Sequence, residues 1–201
     1  MELRTVNYWR DDEIATVQLN RPEVLNAINE DVLADLAEVT RSIINDDKIR
    51  VVVLTGNEQA FAAGADIKSF VAYNPSDAHK YIHKVQKGMS QLLSLGKPTI
   101  ASIAGYAVGG GCELAMVCDL RIAADNAVFG LPEINLGIVP GGGATQRLTR
   151  LVGEGKAKEL VFLGSMINAQ KALEYGIINF LVPLADLKEE TMKLARKLSR
   201  K

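Results

Sequence analysis

The sequence has few of the residues from which nucleophilic and metal sites are built, with two histidines and two cysteines in 201 residues. His79 and His83 lie in the Lys-rich segment HKYIH, away from every glycine-rich turn, which argues against a histidine-activated nucleophile. The glutamate of an HExxH motif is absent, so we interpret the pair as part of an ordinary solvated helix and expect no metal site. Cys112 and Cys118 lack CxxC spacing, which indicates reduced thiols.

The chain also lacks an excess of charge, a membrane segment and a targeting sequence. Its formal net charge is −1, so its overall field favours neither nucleic acid nor an anionic membrane as a partner. No apolar run is long enough to span a bilayer, and the N-terminal MELRTVNYWRDDE resembles neither a signal nor a transit peptide. We therefore expect a cytoplasmic protein. Walker and GxGxxG sequences are missing as well, which argues against phosphate-loop and dinucleotide sites.

Strand-like and helix-like segments alternate along the chain, which predicts an α/β protein with largely parallel strands. The length and the 48% hydrophobic content favour one domain over residues 1–201. The predicted strands are Leu3–Arg10, Ile14–Leu19, Val51–Leu54, Thr99–Ile103, Leu120–Ala124 and Ile177–Val182. The predicted helices run from an Asn29 cap to about Asp46, and over Ser76–Leu95, Thr145–Leu151, Lys156–Leu163, Ala169–Tyr175 and Asp186–Lys201.

A strand, a glycine triplet and a helix follow one another at the centre of the sequence. The strand Thr99–Ile103 leads to Gly109–Gly111, and Cys112–Val117 has the composition of a helix's first turns. Such a corner leaves N–H groups at a helix start without a side chain in front of them, which suits a negative oxygen. A tight turn between packed elements is the alternative interpretation.

Two glutamates accompany the glycine-rich segments. Glu113 follows the triplet, and Glu133 precedes a second glycine run, Gly141–Gly143. Two buried carboxylates close together cannot easily both be ionised, so one holds a proton while the other acts as a base. Such a pair can act as a general acid and a general base without histidine. Taken alone, Glu133 is more typical of a solvated carboxylate or of one at the start of a helix.

The motifs FAAGADIK and KPTIASIAGYAVGGGCELAMVCDLRIAADNAVFGLPEINLGIVPGGGATQRL closely resemble the crotonase superfamily, that is, the enoyl-CoA hydratase/isomerase family. The resemblance runs from about Val17 to the end of the chain. It implies a crotonase-like fold built from repeated ββα units. It also implies an acyl-CoA thioester as the substrate and no separate cofactor.

The resemblance assigns roles to five positions. Ala65 and Gly110 match the backbone N–H donors of the oxyanion hole, Glu113 and Glu133 match the catalytic pair of the hydratases, and Gly141 matches the amide that helps to hold the attacking water. Retention of both glutamates implies reversible syn hydration of a trans-2-enoyl-CoA to a 3-hydroxyacyl-CoA, with Glu133 delivering the α-proton. An enoyl-CoA isomerase or a specialised lyase of the same family is the alternative.

Coenzyme A contacts are implied along two segments. They are Arg21, Leu25, Ala27, Ala63, Asp66, Ile67 and Lys68. Arg21 and Lys68 have charges that suit phosphates, or are ordinary surface charges. The resemblance also implies that residues of Ala72–Gln86 line the acyl pocket.

The end of the chain leads to a further expectation. The amphipathic segment 186–201 matches the start of the family's C-terminal helical region, and family members usually continue beyond it. We therefore expect a truncated helical region, an exposed apolar face at Leu187, Leu194 and Leu198, and self-association as trimers or as hexamers made of two trimers. A weakly active acyl-CoA-binding fragment is the alternative to an enzyme.

Overall fold

The computed structural model describes residues 2–70 and 73–201 and contains ten strands and seven α-helices within those ranges. The strands are β1 (Val6–Asp11), β2 (Ile14–Leu19), β3 (Val51–Thr55), β4 (Ala60–Ala62), β5 (Thr99–Ile103), β6 (Tyr106–Val108), β7 (Leu120–Ala124), β8 (Val128–Gly130), β9 (Met166–Asn168) and β10 (Phe180–Val182). The helices are α1 (Glu30–Ile44), α2 (Pro75–Leu93), α3 (Gly110–Ala115), α4 (Ala144–Val152), α5 (Glu154–Leu163), α6 (Ala169–Tyr175) and α7 (Leu187–Ser199).

The strands form two sheets. The larger has the order β1-β2-β3-β5-β7-β10, and the smaller has the order β4-β6-β8-β9. In the described part of the chain, every pairing is parallel except β1 with β2 and β8 with β9. Strands β3, β5 and β7 of the larger sheet are each followed by a short strand of the smaller sheet. The mostly parallel α/β prediction is therefore confirmed.

Most predicted elements occur close to their predicted bounds, and the differences have local causes. Strand β1 begins at Val6, because the N–H groups of Arg4 and Thr5 donate to the Asp35 carboxylate instead of a sheet partner. The last strand is shorter than predicted, because the N–H groups of Ile177 and Ile178 bond to the Ala172 carbonyl. Helix α1 has the predicted Asn29 cap, whose side chain accepts a hydrogen bond from the Val32 N–H.

The strand patterns of the sequence did not predict the smaller sheet, which includes Phe61 and Ala62 of the FAAGADIK motif. Strand β4 has the sequence Ala-Phe-Ala, and each strand of this sheet has three residues. Such strands carry too few β-branched residues and are too short to show a strand periodicity. Strands β4, β6 and β8 each follow a strand of the larger sheet, and β9 pairs with β8.

Helix α7 covers one face of the larger sheet. Leu187 and Ala195 are buried against residues such as Val53 and Ile100, and the Thr191 hydroxyl lies 2.8 Å from the Ser102 hydroxyl. The expectation of an exposed apolar face was therefore wrong for Leu187, which the sheet of the same chain buries, whereas Leu194 and Leu198 are partly buried against that sheet. Self-association stays a prediction. Among the described residues, no helix is both long and apolar enough to cross a lipid bilayer.

Strand β4 of the smaller sheet packs closely against Gly111 in the first turn of α3. A Cβ atom on Gly111 would lie 1.9 Å from the carbonyl oxygen of Ala62, so only glycine permits this approach of α3 to β4. This contact brings residues 62–66 beside the start of α3. The fold thus places two segments that are far apart in sequence at one point.

We expect Gly111→Ala to lower the free energy of unfolding by about 1–3 kcal/mol, because the added methyl forces β4 and α3 apart. Gly155→Ala is the matched control, since a Cβ there meets nothing within 4 Å. It lies in α5, where replacing glycine should be neutral or stabilise by about 0.5–1 kcal/mol. Urea unfolding of both variants measures the difference. Equal stability of the two variants would contradict the close-approach argument.

Candidate active site

Glu113 lies on α3 and is 3% exposed. Its Oε2 accepts a hydrogen bond of 2.9 Å from the Gly142 N–H, and its Oε1 accepts one of 2.9 Å from the Ala144 N–H. Burial raises the pKa of Glu113, whereas these two N–H donors and the nearby Arg147 guanidinium oppose the rise. Both carboxyl oxygens therefore have donors that suit the ionised form.

Glu133 has a different environment. It lies in the 3-10 turn Pro132–Leu136, and its buried Oε2 has no hydrogen-bond partner among the described residues. Burial raises the pKa of Glu133 to about 7, and the charge of Glu113 contributes to the rise. Since both oxygens of Glu113 accept N–H hydrogen bonds and Oε2 of Glu133 has no partner among the described residues, this environment favours the ionised form at Glu113 more than at Glu133.

Ala65 and Gly110 lie side by side across the corner between β4 and α3. A Cβ atom on Gly110 would be 3.5 Å from the Ala65 nitrogen. Ala65 forms an isolated bridge with Ile28 whose two hydrogen bonds use the Gly64 carbonyl and the Asp66 N–H. The bridge therefore does not use the Ala65 N–H. Gly110 is the first residue of α3, where a helix N–H has no partner within the helix.

These groups share one cleft of about 750 Å³. Its lining includes both glutamates, Ala65 and Gly110 on one side, and apolar side chains of α2 on the other. The structure therefore brings together the predicted pair and the predicted donors. An arrangement of two adjacent backbone donors and two carboxyls with unlike environments can stabilise a developing oxyanion while moving two protons.

Gly141 also lines this cleft, but it does not contact Glu113 through its own N–H in the way that Gly142 does. Its carbonyl accepts a hydrogen bond from Gln86, and a Cβ on it would lie 2.3 Å from the Ile82 side chain. The run Gly141–Gly143 is therefore packed between α2 and Glu113. A side chain at Gly141 or Gly142 would displace the Ile82 or the Glu113 side chain, respectively.

The segment Arg21–Ile28 docks onto residues 60–66. Arg21 forms an ion pair with Asp66 at 3.1 Å and donates to the Ala27 carbonyl at 2.6 Å, so its guanidinium is engaged within the chain. Leu25 and Asn26 have φ values of 52° and 57°, which is a strained region for residues other than glycine. The buried Asn26 side chain donates to the Ala60 carbonyl and accepts from the Arg21 N–H, which holds the strained turn.

Of the seven predicted coenzyme A residues, Ala63 and Ile67 line the cleft, whereas Arg21, Leu25, Ala27, Asp66 and Lys68 do not. Ala63 is half-buried and donates its N–H to the Leu25 carbonyl. Lys68 is exposed in the 3-10 turn Ile67–Ser69. The structure thus places the seven predicted residues on two adjoining segments.

Several lining residues were not singled out from the sequence. Phe70, Tyr73 and Tyr81 form an aromatic group beside the glutamates, and the Tyr81 hydroxyl donates to the Ile28 carbonyl. The spacing of Tyr81, Val85 and Met89 at four-residue intervals is the signal that identifies this buried face of α2. Tyr73, Ala78 and Ile82 of the predicted acyl-pocket segment also line the cleft, whereas its first residue, Ala72, lies outside the described residues.

The histidine pair lies on α2 with ring centroids 4.6 Å apart. Within residues 2–70 and 73–201, no group of three or more His, Cys, Asp or Glu side chains is arranged to hold a metal ion. Cys112 and Cys118 are both buried free thiols.

The fold and the cleft have counterparts among known proteins. The model of the enoyl-CoA hydratase/isomerase family matches residues 10–201. The short-chain-enoyl-CoA hydratase of Clostridium acetobutylicum is 44% identical over 199 residues, which are 98% of this chain and 76% of that protein. The crotonyl-CoA hydratase of Syntrophomonas wolfei is 40% identical over 190 residues, covering 94% of this chain and 73% of that protein.

A solved structure gives the same result at the level of the fold. The crystal structure of enoyl-CoA hydratase from Bacillus anthracis matches with a TM-score of 0.96 and 38% identity, over 98% of this chain and 78% of that one. The predicted crotonase-like fold is therefore confirmed. The family model, the relatives and the shared fold agree, and the chain belongs to the enoyl-CoA hydratase/isomerase family.

Proposed function

We propose that this protein is an enoyl-CoA hydratase that adds water reversibly and with syn geometry to a trans-2-enoyl-CoA, giving a 3-hydroxyacyl-CoA. The observation that carries this proposal is the presence in one cleft of two glutamates in unlike environments beside two adjacent backbone N–H groups. The hydratase names of its relatives support the same activity.

In the proposed reaction, the thioester oxygen accepts hydrogen bonds from the N–H groups of Ala65 and Gly110. These donors stabilise the enolate that forms when water attacks the β-carbon. Glu113 accepts one proton of that water, and Glu133 donates its proton to the α-carbon. The product thus gains one hydroxyl group and one hydrogen, and proton exchange between the pair and solvent restores the starting state.

The hydrogen bonds around each carboxyl support this division of roles. A base must be ionised, and Glu113 has an N–H donor on each oxygen. An acid must hold its proton near neutral pH, and burial raises the pKa of Glu133 to about 7. We assign to the Gly141 amide the auxiliary role of holding the attacking water, and no cofactor enters the proposed mechanism.

The coenzyme A arm is proposed to lie along Arg21–Ile28 and Ala63–Lys68. Because Arg21 is already paired with Asp66, we assign to it the role of shaping this edge, while the exposed Lys68 is free to approach a phosphate. The acyl group then lies against Tyr81, Ile82 and Val85 of α2. A short acyl chain is the proposed substrate class, as the names of the Clostridium and Syntrophomonas relatives suggest.

Glu113→Gln and Glu133→Gln should each lower the rate of crotonyl-CoA hydration by about 10²–10⁴-fold while leaving thioester binding nearly intact, because each removes a proton-transfer group. Glu58→Gln is the matched control, since Glu58 is exposed and does not line the cleft. Loss of absorbance of the enoyl thioester measures turnover. Near wild-type turnover of either cleft variant would refute the pair assignment.

Gly110→Val should lower both turnover and affinity for acyl-CoA thioesters, because its methyl groups occupy the space in front of the Ala65 nitrogen. Losing one oxyanion donor costs about 3–4 kcal/mol, or roughly 10²–10³-fold in rate. Titration calorimetry with free coenzyme A provides the control, since that ligand carries no thioester oxygen and should bind normally. A fully active variant would remove Gly110 from the proposed oxyanion hole.

The pKa of Glu133 also predicts a pH dependence of stability. Its folded-state pKa of about 7 lies above the usual glutamate value, so folding favours the protonated form. The stability that this proton provides is full below about pH 4.3 and is lost as the pH rises towards 7. Relative to wild type, Glu133→Gln should therefore gain about 1–2 kcal/mol of unfolding free energy between pH 4 and 8, after allowance for solvent screening. Urea unfolding across this range tests it, and a constant difference would contradict the raised pKa.

A further inference from the structure

The glycine run beside Glu113 is held by two side chains that do not line the cleft. Gln86 of α2 donates through Nε2 to the Gly141 carbonyl at 3.1 Å, and Arg147 of α4 donates through Nη1 to the Gly142 carbonyl at 2.7 Å. The two side chains approach consecutive peptide units. They come from different helices.

The same peptide units present their N–H groups to the catalytic carboxyl. The peptide whose carbonyl Gln86 binds carries the Gly142 N–H, which donates to Glu113 Oε2 at 2.9 Å. The peptide whose carbonyl Arg147 binds carries the Gly143 N–H, which also favours the ionised form of Glu113. Because a trans peptide is planar, a bond to its oxygen fixes the direction in which its N–H points.

Glycine by itself gives this segment little orientation. Gly143 has a φ of 113°, and a Cβ on Gly142 would lie 2.6 Å from Glu113 Oε2, so the run has no side chains that could anchor it. Glycine also has the greatest backbone freedom of any residue. The directions of these N–H groups therefore depend on partners outside the run.

Few charges reach Glu113 besides these amides. The titratable groups that face it in the described structure are Glu133, Arg147, Tyr81 and Cys112. Burial raises the pKa of both Tyr81 and Cys112, so these two groups stay neutral in the acidic and neutral range. Of these four groups, Arg147 therefore supplies the positive charge near Glu113, and Glu133 is the group that titrates in the acidic and neutral range.

We propose that Arg147 and Gln86 are positioning residues for Glu113, which orient the Gly141–Gly143 peptides so that their N–H groups hold the carboxylate ready to accept a proton from water. Neither side chain contacts the substrate in this proposal. Arg147 acts through the Gly142 carbonyl and through its charge, and Gln86 acts through the Gly141 carbonyl alone. The proposal rests on the function proposed above, in which Glu113 is the base.

The two residues should therefore have distinguishable effects. Arg147→Met should lower kcat by about 10–100-fold with little change in KM, and should move the acidic limb of the pH–rate profile to higher pH by one unit or more. Arg147→Lys keeps the charge and should recover part of that shift. Gln86→Ala, at an exposed position where misfolding is not expected, should lower kcat by a few-fold and shift the limb in the same direction.

The experiment measures pH–rate profiles for crotonyl-CoA hydration by the full chain, with Arg150→Met and Lys87→Ala as matched controls on the same two helices. Among the described residues, Arg150 donates to Gln146 alone, and Lys87 is exposed, so both should match wild type. A loss of activity without movement of the acidic limb in Arg147→Met and Gln86→Ala would mean a merely structural role and would overturn the proposal. Unchanged profiles would overturn it as well.

A measurement without substrate separates this proposal from the hydratase assignment. In protein labelled with carbon-13 at glutamate carboxyls, the Glu113 signal is assigned by its absence in Glu113→Gln, and its titration is followed by NMR. Arg147→Met and Gln86→Ala should raise the titration midpoint even if the enzyme acts on another thioester. An unmoved midpoint overturns the positioning role, whereas a raised midpoint with no hydration by wild type overturns only the proposed reaction.

Discussion

The removal of the Glu113 carboxyl from water is the constraint on which the rest of the site depends. A buried carboxylate is costly unless hydrogen bonds replace its solvation, and here the replacements come from the Gly142 and Ala144 N–H groups, about thirty residues further along the chain. Those groups face Glu113 only because α4 begins at Ala144 directly after a glycine run. The Glu113 carboxylate on α3 therefore helps to fix the position of α4.

The two-sheet architecture determines where Ala65 and Gly110 lie in the cleft. In each ββα unit, a strand of the larger sheet is followed by a strand of the smaller sheet. The unit that contains β5 and β6 leads into the first turn of α3. The unit that contains β3 and β4 leads to Ala65, beside Gly110. Ala65 and Gly110, the proposed oxyanion donors, therefore come from two repeats of one structural unit. Their distance is set by the packing of Gly111 on Ala62, a contact within the core.

The sequence was sufficient to predict the larger sheet and most helices, because these depend on strong local patterns. The continuous apolar run at Val51–Leu54 is one such pattern, and its residues are buried on both sheet faces. The sequence also singled out Glu113 and Glu133, which the structure places in one cleft. The partners of α7 and the role of Arg147 could not be predicted, since both depend on which elements meet in space. Amphipathicity shows that α7 has an apolar face, but whether a sheet or another chain covers it is a long-range property.

The strained turn at Leu25 and Asn26 has a consequence for how a ligand would associate. Left-handed residues of this kind cost on the order of 1–3 kcal/mol each, and here the hydrogen bonds of Asn26 and the Arg21–Asp66 ion pair, all within the chain, maintain them. A ligand that docks along this edge meets a surface that is already ordered, so little conformational entropy remains to be lost on association.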